Sequence, residues 1–120
     1  MASKMVGIVD DDDDVRTSIE SLLRSAGYRP YGFSDAESFL ASAHLDVVDC
    51  LLTDFNMPGL NGLELQDAVA RRRPGLPVIL MTAYPTDAVR NEAHHQGVAD
   101  FLVKPIDGDR LIDKLEEVIC

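Results

Sequence analysis

Five side chains able to do chemistry each follow a short apolar run. Asp10 and Asp11 come after Met5 to Val9, Asp54 lies at the end of Cys50 to Phe55, Thr82 follows Val78 to Met81, and Lys104 follows Phe101 to Val103. If the runs lie side by side, one edge gathers three carboxylates, a hydroxyl and an ammonium. Two carboxylates about 5 Å apart repel by roughly 3 kcal/mol at an effective dielectric near 20, so three together call for a cation. Oxygen-only donors select a hard ion, and Mg²⁺ suits a site that also holds phosphate oxygens and keeps several waters. One carboxylate is then free to attack phosphorus and become an aspartyl phosphate. The ion, Lys104 and the Thr82 hydroxyl would neutralise or hydrogen-bond the equatorial oxygens of the transferring group.

The elements that must position these residues are legible as short apolar runs alternating with longer segments of helical period, the pattern of an α/β domain with a parallel sheet. After the first run, Val15, Ile19, Leu22, Leu23 and Ala26 share a helical face, and Gly27 stops it. Tyr28 to Phe33 predicts a second strand, which Pro30, lacking an N–H, places at a sheet edge. Ser34-Asp35-Ala36-Glu37 has capping-box spacing and predicts a second helix with Phe39, Leu40 and Ala43 on one face. A third helix is expected from about Gly62 to Arg73, stopped by Pro74. Between Thr86 and Gln96 the apolar stripe is the weakest, mainly Ala88, Val89 and Ala93, so that helix should be the least firmly held. The last helix presents Leu111, Ile112, Leu115, Val118 and Ile119 on one face and runs to the chain end. Five βα units with right-handed crossovers, the second strand at an edge, favour a flavodoxin-like doubly wound (βα)5 fold with strand order 2-1-3-4-5. Ligands of such a sheet bind at the carboxyl ends of the strands, near the switch point between strands one and three. That edge is where the five side chains stand.

Composition bounds the partners. At 120 residues the chain makes about one domain, and 46% hydrophobic with 27% charged residues is ordinary for a globule. A net charge of −10 disfavours direct contact with nucleic acid or anionic membrane. Met1-Ala2-Ser3-Lys4 has no apolar signal core, and no run approaches the roughly 20 apolar residues of a membrane span, so a cytoplasmic protein is expected. Cys50 and Cys120 offer neither metal spacing nor a disulfide framework, in keeping with a reducing compartment. The one low-complexity run is Asp10 to Asp14, and no internal repeat is present.

Four segments resemble the signature segments of response-regulator receiver domains, in order and at that family's spacing: Ile8-Val9-Asp10-Asp11-Asp12, Thr53-Asp54-Phe55-Asn56-Met57-Pro58-Gly59, Met81-Thr82-Ala83 and Phe101-Leu102-Val103-Lys104-Pro105. The resemblance implies that Asp54 is the phosphoacceptor, supplied by a sensor histidine kinase, and that Asp11, Asp54 and the Asn56 carbonyl bind Mg²⁺, with Asp10 acting through a water. It implies that Lys104 and Thr82 contact the phosphoryl group, that the Lys104–Pro105 bond is cis, and that Phe101 is a switching aromatic. It further implies that Asn56 and Tyr84 flank the phosphoryl group and govern its lifetime; Asn56 could orient an attacking water while the Tyr84 ring covers the approach, and the ring is expected to prevail because blocked access stops attack. Asp-Val-Arg after the acidic pair and Ala-Asp-Phe before Lys104 are similar to regulators of the nitrogen-fixation type, which carry a DNA-binding helix-turn-helix downstream. The elements account for residues 1–120 as a receiver with no output domain in this chain, which then either acts alone or is one domain of a larger regulator. A phosphorylation-dependent homodimer, or contact with an output domain, is the expected response.

Bland readings stand beside these. Asp12, Asp13 and Asp14 suit helix capping and the helix dipole. Phe101 suits a core as well as a switch, and both can hold. Tyr84 suits a partner contact as well as a shield. His94-His95 reads as a surface pair, because neighbours on a helix point about 100° apart. An EF-hand starting at Asp10 needs Gly at loop position six and Glu at twelve, where Val15 and Ser21 stand. A flavin module needs an uncharged phosphate loop after the first strand, not five acids. A haloacid-dehalogenase-like phosphatase needs a second Asp where Asn56 stands. The remaining alternative is a phosphorylation-independent interaction module of the same fold.

Overall fold

The structure, a computed structural model, describes residues 3–119. The expectations for Cys120 and for the first two residues fall outside that range. Among the described residues, five strands and five helices alternate as anticipated. The strands are β1 (Met5–Val9), β2 (Arg29–Phe33), β3 (Cys50–Asp54), β4 (Val78–Thr82) and β5 (Asp100–Val103), and the helices are α1 (Asp13–Ser25), α2 (Ala36–Leu40), α3 (Gly62–Arg72), α4 (Asp87–His95) and α5 (Gly108–Ile119), with a 3₁₀ turn at Ala43–Asp46. All strand pairs are parallel and the order is β2-β1-β3-β4-β5, the expected topology.

β3 and β4 are buried along their whole length, which is why they read as unbroken apolar runs. Alternation along the strands divides the core. Val6, Ile8, Cys50, Leu52, Ile79, Met81 and Leu102 pack with Ile19 and Leu23 of α1 and Leu111 and Leu115 of α5. On the other face Val9, Leu51 and Val78 meet Phe39 of α2 and Leu65 and Val69 of α3, while Leu80 meets Leu63 and Ala93. The register Val6↔Cys50, Leu51↔Val78 and Leu80↔Phe101 brings the carboxyl ends of β1, β3, β4 and β5 to one edge.

Helix starts are capped by short polar side chains. Asp12 accepts from the amides of Asp14 and Val15, Thr86 from Val89, and Asp107 from Asp109 and Arg110. The second helix departs from the sequence reading. Its cap is Asp35, which accepts from the Ser38 amide at 2.7 Å, and the helix ends at Leu40, leaving Ala43 in the 3₁₀ turn. Glu37 does not fold back on the cap: its carboxylate accepts from the Leu60 amide at 3.0 Å, tying the loop after β3 to α2. The reciprocal capping box lies instead at α3, between Asn61 and Glu64. No described helix is long and apolar enough to cross a membrane.

Candidate functional site

Asp10 leaves β1 fully buried, held by its amide donating to the Phe33 carbonyl at 3.1 Å and by its Oδ1 accepting from the Asp12 amide at 2.9 Å. Asp54 ends β3 at 5% exposure. Its backbone is pinned from behind by α3, because Gly62 lies so close that an added Cβ would stand 2.7 Å from the Asp54 carbonyl oxygen. Asp11 is exposed, yet carboxylate oxygens of Asp10, Asp11 and Asp54 lie within 4.8 Å of one another. Thr82 ends β4, buried, one residue beyond Met81, the register partner of Asp54. Its hydroxyl accepts from the Tyr84 amide at 3.0 Å.

Lys104 completes the cluster from β5. The Lys104–Pro105 peptide is cis, as the receiver resemblance implied. The ammonium reaches 2.8 Å from Asp10 Oδ2 and 3.1 Å from Asp54 Oδ1, against the default of a solvated surface lysine. Burial is the largest influence on Asp54 and lifts its carboxyl above the ordinary carboxylate range; the Asp10 charge adds to this, Lys104 opposes it and Asp11 adds a little. For Lys104 burial pulls downward, but the hydrogen bond to Asp10 and the charges of Asp54 and Asp10 outweigh it, so the ammonium holds its proton more firmly than in water.

Three clustered carboxylates against one half-buried lysine leave an excess of negative charge, and every donor is a hard oxygen. That donor set fits a small divalent cation and not a soft metal. Asp10, Asp11, Asp54 and Lys104 are thus brought together, with Thr82 on the adjacent strand. Asn56 and Tyr84 are in the flanking loops, exposed, with Tyr84 at 74%. Phe101 is half-buried against Leu63, Leu80 and Ala93, with the Arg90 guanidinium 5.0 Å from its ring centroid. His94 and His95 are both exposed. An apolar groove of about 550 Å³, lined by Val15, Ile19, Leu22, Pro105 and Ile106, adjoins the acids on the Lys104 side.

Two contributors escaped the sequence reading. Arg16 donates to the Asp10 carbonyl at 2.7 Å, and Glu37 holds the loop that follows Asp54. Only the Arg16 position, six residues past Asp10 at the first turn of a helix, offered any signal.

Comparison with known proteins agrees with the geometry. Residues 6–116 match the family model of the response regulator receiver domain. The chain is 37% identical over 119 residues to the DNA-binding transcriptional regulator NtrC of Salmonella typhimurium, covering 99% of this chain and 25% of that protein. It is 36% identical over 112 residues to the transcriptional regulatory protein FixJ of Bradyrhizobium diazoefficiens, covering 93% of this chain and 55% of FixJ, so it spans about a quarter to a half of these relatives. Among solved structures, FixJ-N superposes with a TM-score of 0.87 at 32% identity, over 99% of this chain and 95% of that one. The chemotaxis protein CheY4 of Vibrio cholerae gives 0.91 at 28%, over 98% and 99%. Strand order, the acid cluster at the switch point and a family match along nearly the whole chain converge: this protein belongs to the response regulator receiver domains, signalling switches phosphorylated on aspartate by a kinase.

Proposed function

We propose that Asp54 accepts a phosphoryl group from the phosphohistidine of a sensor histidine kinase, in a reaction that needs Mg²⁺, and that the domain answers by altering the surface of α4, β5 and α5. The observation that carries this reading is the Lys104 ammonium lying between two buried carboxylates, 2.8 Å from Asp10 and 3.1 Å from Asp54. An Asp54 oxygen attacks phosphorus as the N–P bond of the donor breaks and its electron pair returns to the imidazole nitrogen. The donor approaches from the open side, beside the apolar groove. Lys104 and the Thr82 hydroxyl meet the transferred oxygens. Asp11, Asp54 and the Asn56 carbonyl would hold Mg²⁺, with Asp10 contributing through a water. When bound, the ion offsets charge on the phosphoryl oxygens. With Asn56 where a phosphatase would carry a proton donor, the domain catalyses its own phosphorylation and dephosphorylation and does not turn over other substrates.

Thr82 then moves toward the new oxygens, Phe101 follows inward, and the α4–β5–α5 face gains affinity for a second copy, an output domain or another partner. We read residues 1–120 as one receiver unit working in the cytoplasm beside its kinase, with transcription regulation supplied elsewhere, as the DNA-binding relative suggests. The 74% exposure of Tyr84 favours its reading as a partner contact. The hydrogen bond that its backbone amide donates to the Thr82 hydroxyl couples it to the same movement, so a ring that covers the phosphorylated site, against Asn56 orienting water, is the competing role. A lifetime in Tyr84→Ala severalfold shorter than wild type selects the shield, and an unchanged lifetime selects the partner contact.

Acetyl phosphate with Mg²⁺ should add one phosphoryl group, with none in Asp54→Asn or in chelator. Labelling of Asp54→Asn equal to wild type defeats the nucleophile assignment, and labelling without a divalent ion defeats the metal role. Light scattering with and without a beryllofluoride mimic reads the response; unchanged self-association and partner binding leave only phosphate storage.

A further inference from the structure

The Arg16 guanidinium lies where the acidic run leaves β1, although neither the nucleophile nor the cation calls for it. Its Nη1 donates to the Asp10 carbonyl at 2.7 Å and its Nη2 to Asp13 Oδ1 at 2.5 Å, and the side chain is only 17% exposed. The stem crosses β2 at Gly32, where an added Cβ would stand 3.0 Å from Arg16 Cδ and 2.8 Å from Glu20 Oε2. The absent side chain of Gly32 makes room for the arginine.

Two effects of this arrangement oppose each other. A positive charge beside the acids repels a divalent cation, so Coulomb's law alone makes Arg16 unfavourable to metal binding. The planar fork, by contrast, fixes the Asp10 carbonyl and the Asp13 carboxylate together, which a point charge cannot do. Asp10 and Asp11 stand inside the segment so clamped.

We propose that Arg16 is a positioning residue of the acidic pocket: it holds the loop of Asp10 to Asp13 so that the Asp10 and Asp11 carboxylates stay directed at Asp54, and its net effect on Mg²⁺ affinity is favourable. This rests on reading the pocket as a Mg²⁺ site. Because charge and geometry act with opposite sign, the direction of the change distinguishes them.

Calorimetric titration of Mg²⁺ into wild type, Asp11→Asn, Arg16→Met and Arg16→Lys decides the matter, with thermal denaturation of each in chelator to show that it is folded. Met preserves the packed stem and removes charge and fork; Lys preserves the charge and removes the fork. Both should bind Mg²⁺ roughly tenfold more weakly than wild type, the loss typical when a partner of a metal ligand is removed. Arg16→Met binding as tightly as wild type, or more tightly, overturns the proposal, and so does full affinity in Arg16→Lys, which remains informative if the Met variant does not fold. Wild type that binds no Mg²⁺, or Asp11→Asn that binds it equally well, removes the metal-site reading and the proposal with it.

Discussion

Strands β3 and β5 end at the same edge of one sheet, yet the rest of the molecule encloses them differently. β3 lies between β1 and β4, and all of its residues are buried. β5 pairs on one side only; Leu102 alone of its four residues is buried and Val103 is 41% exposed. Its covering helix α4 buries just Ala93, and α3 reaches α4 through a long 3.3 Å bond from Gln66 Nε2 to the Gln96 carbonyl, while Gln66 Oε1 is buried without a partner. Chemistry at phosphorus needs oxygens held within a fraction of an ångström, which the enclosed strand supplies. A response needs an element with two accessible arrangements, drawn from the least stable part of the fold. In the proposed mechanism Asp54 sits on the first kind of element and Phe101 on the second. Lys104 joins them, since it springs from β5 and reaches back to Asp10 and Asp54.

Removing that joint gives the largest expected effect. Lys104→Ala should slow phosphorylation by acetyl phosphate roughly 10²- to 10³-fold, the loss seen when one charge-stabilising donor is deleted from a transition state. A rate within threefold of wild type would mean that the strand-end acids work without the loose flank. That would break the contrast.

Next comes the backing of Asp54. A Cβ at Gly62 would meet Leu80 Cδ1 at 2.6 Å, the Asp54 carbonyl oxygen at 2.7 Å and the Phe55 Cα at 2.9 Å, and two of those are backbone atoms that cannot retreat. Gly62→Ala should therefore cost about 1–3 kcal/mol in denaturant unfolding, as overpacked sites do, even though Ala is the better helix former by about 1 kcal/mol. Gly75, with open space around it, provides the control: Gly75→Ala should be neutral or slightly stabilising. A neutral Gly62→Ala would show that the enclosed strand yields more than its packing suggests.

Hydrogen exchange tests the contrast directly. Amides of Arg90 and Glu92 in α4 should exchange at least about tenfold faster than those of Leu51 and Leu52 in β3. Equal protection would place both regions in one cooperative unit and remove the loose flank from the switching argument.

How much of this was legible in the sequence depends on the kind of contact. Strand ends were readable because a buried parallel strand is a continuous apolar run, so the residue that breaks the run marks the edge; Asp54 and Thr82 are such residues. The weakness of α4 was readable from its thin apolar stripe. Individual pairings between distant segments were less so: the expected strand order set Lys104 at the edge of the acids, but its bond to Asp10 across 94 residues, and the bond from the Leu60 amide to Glu37 across 23, could not be named. Neither leaves a periodic trace. The Asn61–Glu64 box did leave one, the same spacing taken at Ser34–Glu37, but there the neighbouring Asp35 competes for the cap and wins. Arg90 over Phe101 depends on the angle between α4 and β5, which no local pattern encodes.

The smallest expected effect tests whether α2 belongs with the enclosed region, and it turns on that competition. Asp35 caps α2, and α2 carries the Glu37 that holds the loop behind Asp54, so a weakened cap should loosen the site's backing slightly. The backbone hydrogen bond from Ser38, with a smaller contribution from the Ser38 side chain, holds the Asp35 carboxyl below its ordinary value. A carboxylate lowered by folding stabilises the folded state above its ordinary, unfolded pKa, and the contribution fades as pH falls through the lower folded value. Asp35→Ala should therefore be less stable than wild type at pH 7, with the gap narrowing as the solution is acidified toward and below the ordinary Asp pKa of about 3.9. Ser34→Ala should match wild type throughout, because Ser34 is not the cap. Urea midpoints measured from pH 7 down to the lowest pH at which both proteins stay folded read the gap directly. A gap that widens on acidification contradicts the lowered carboxyl, and a Ser34→Ala loss equal to that of Asp35→Ala returns the cap to Ser34 and detaches α2 from the argument about the site.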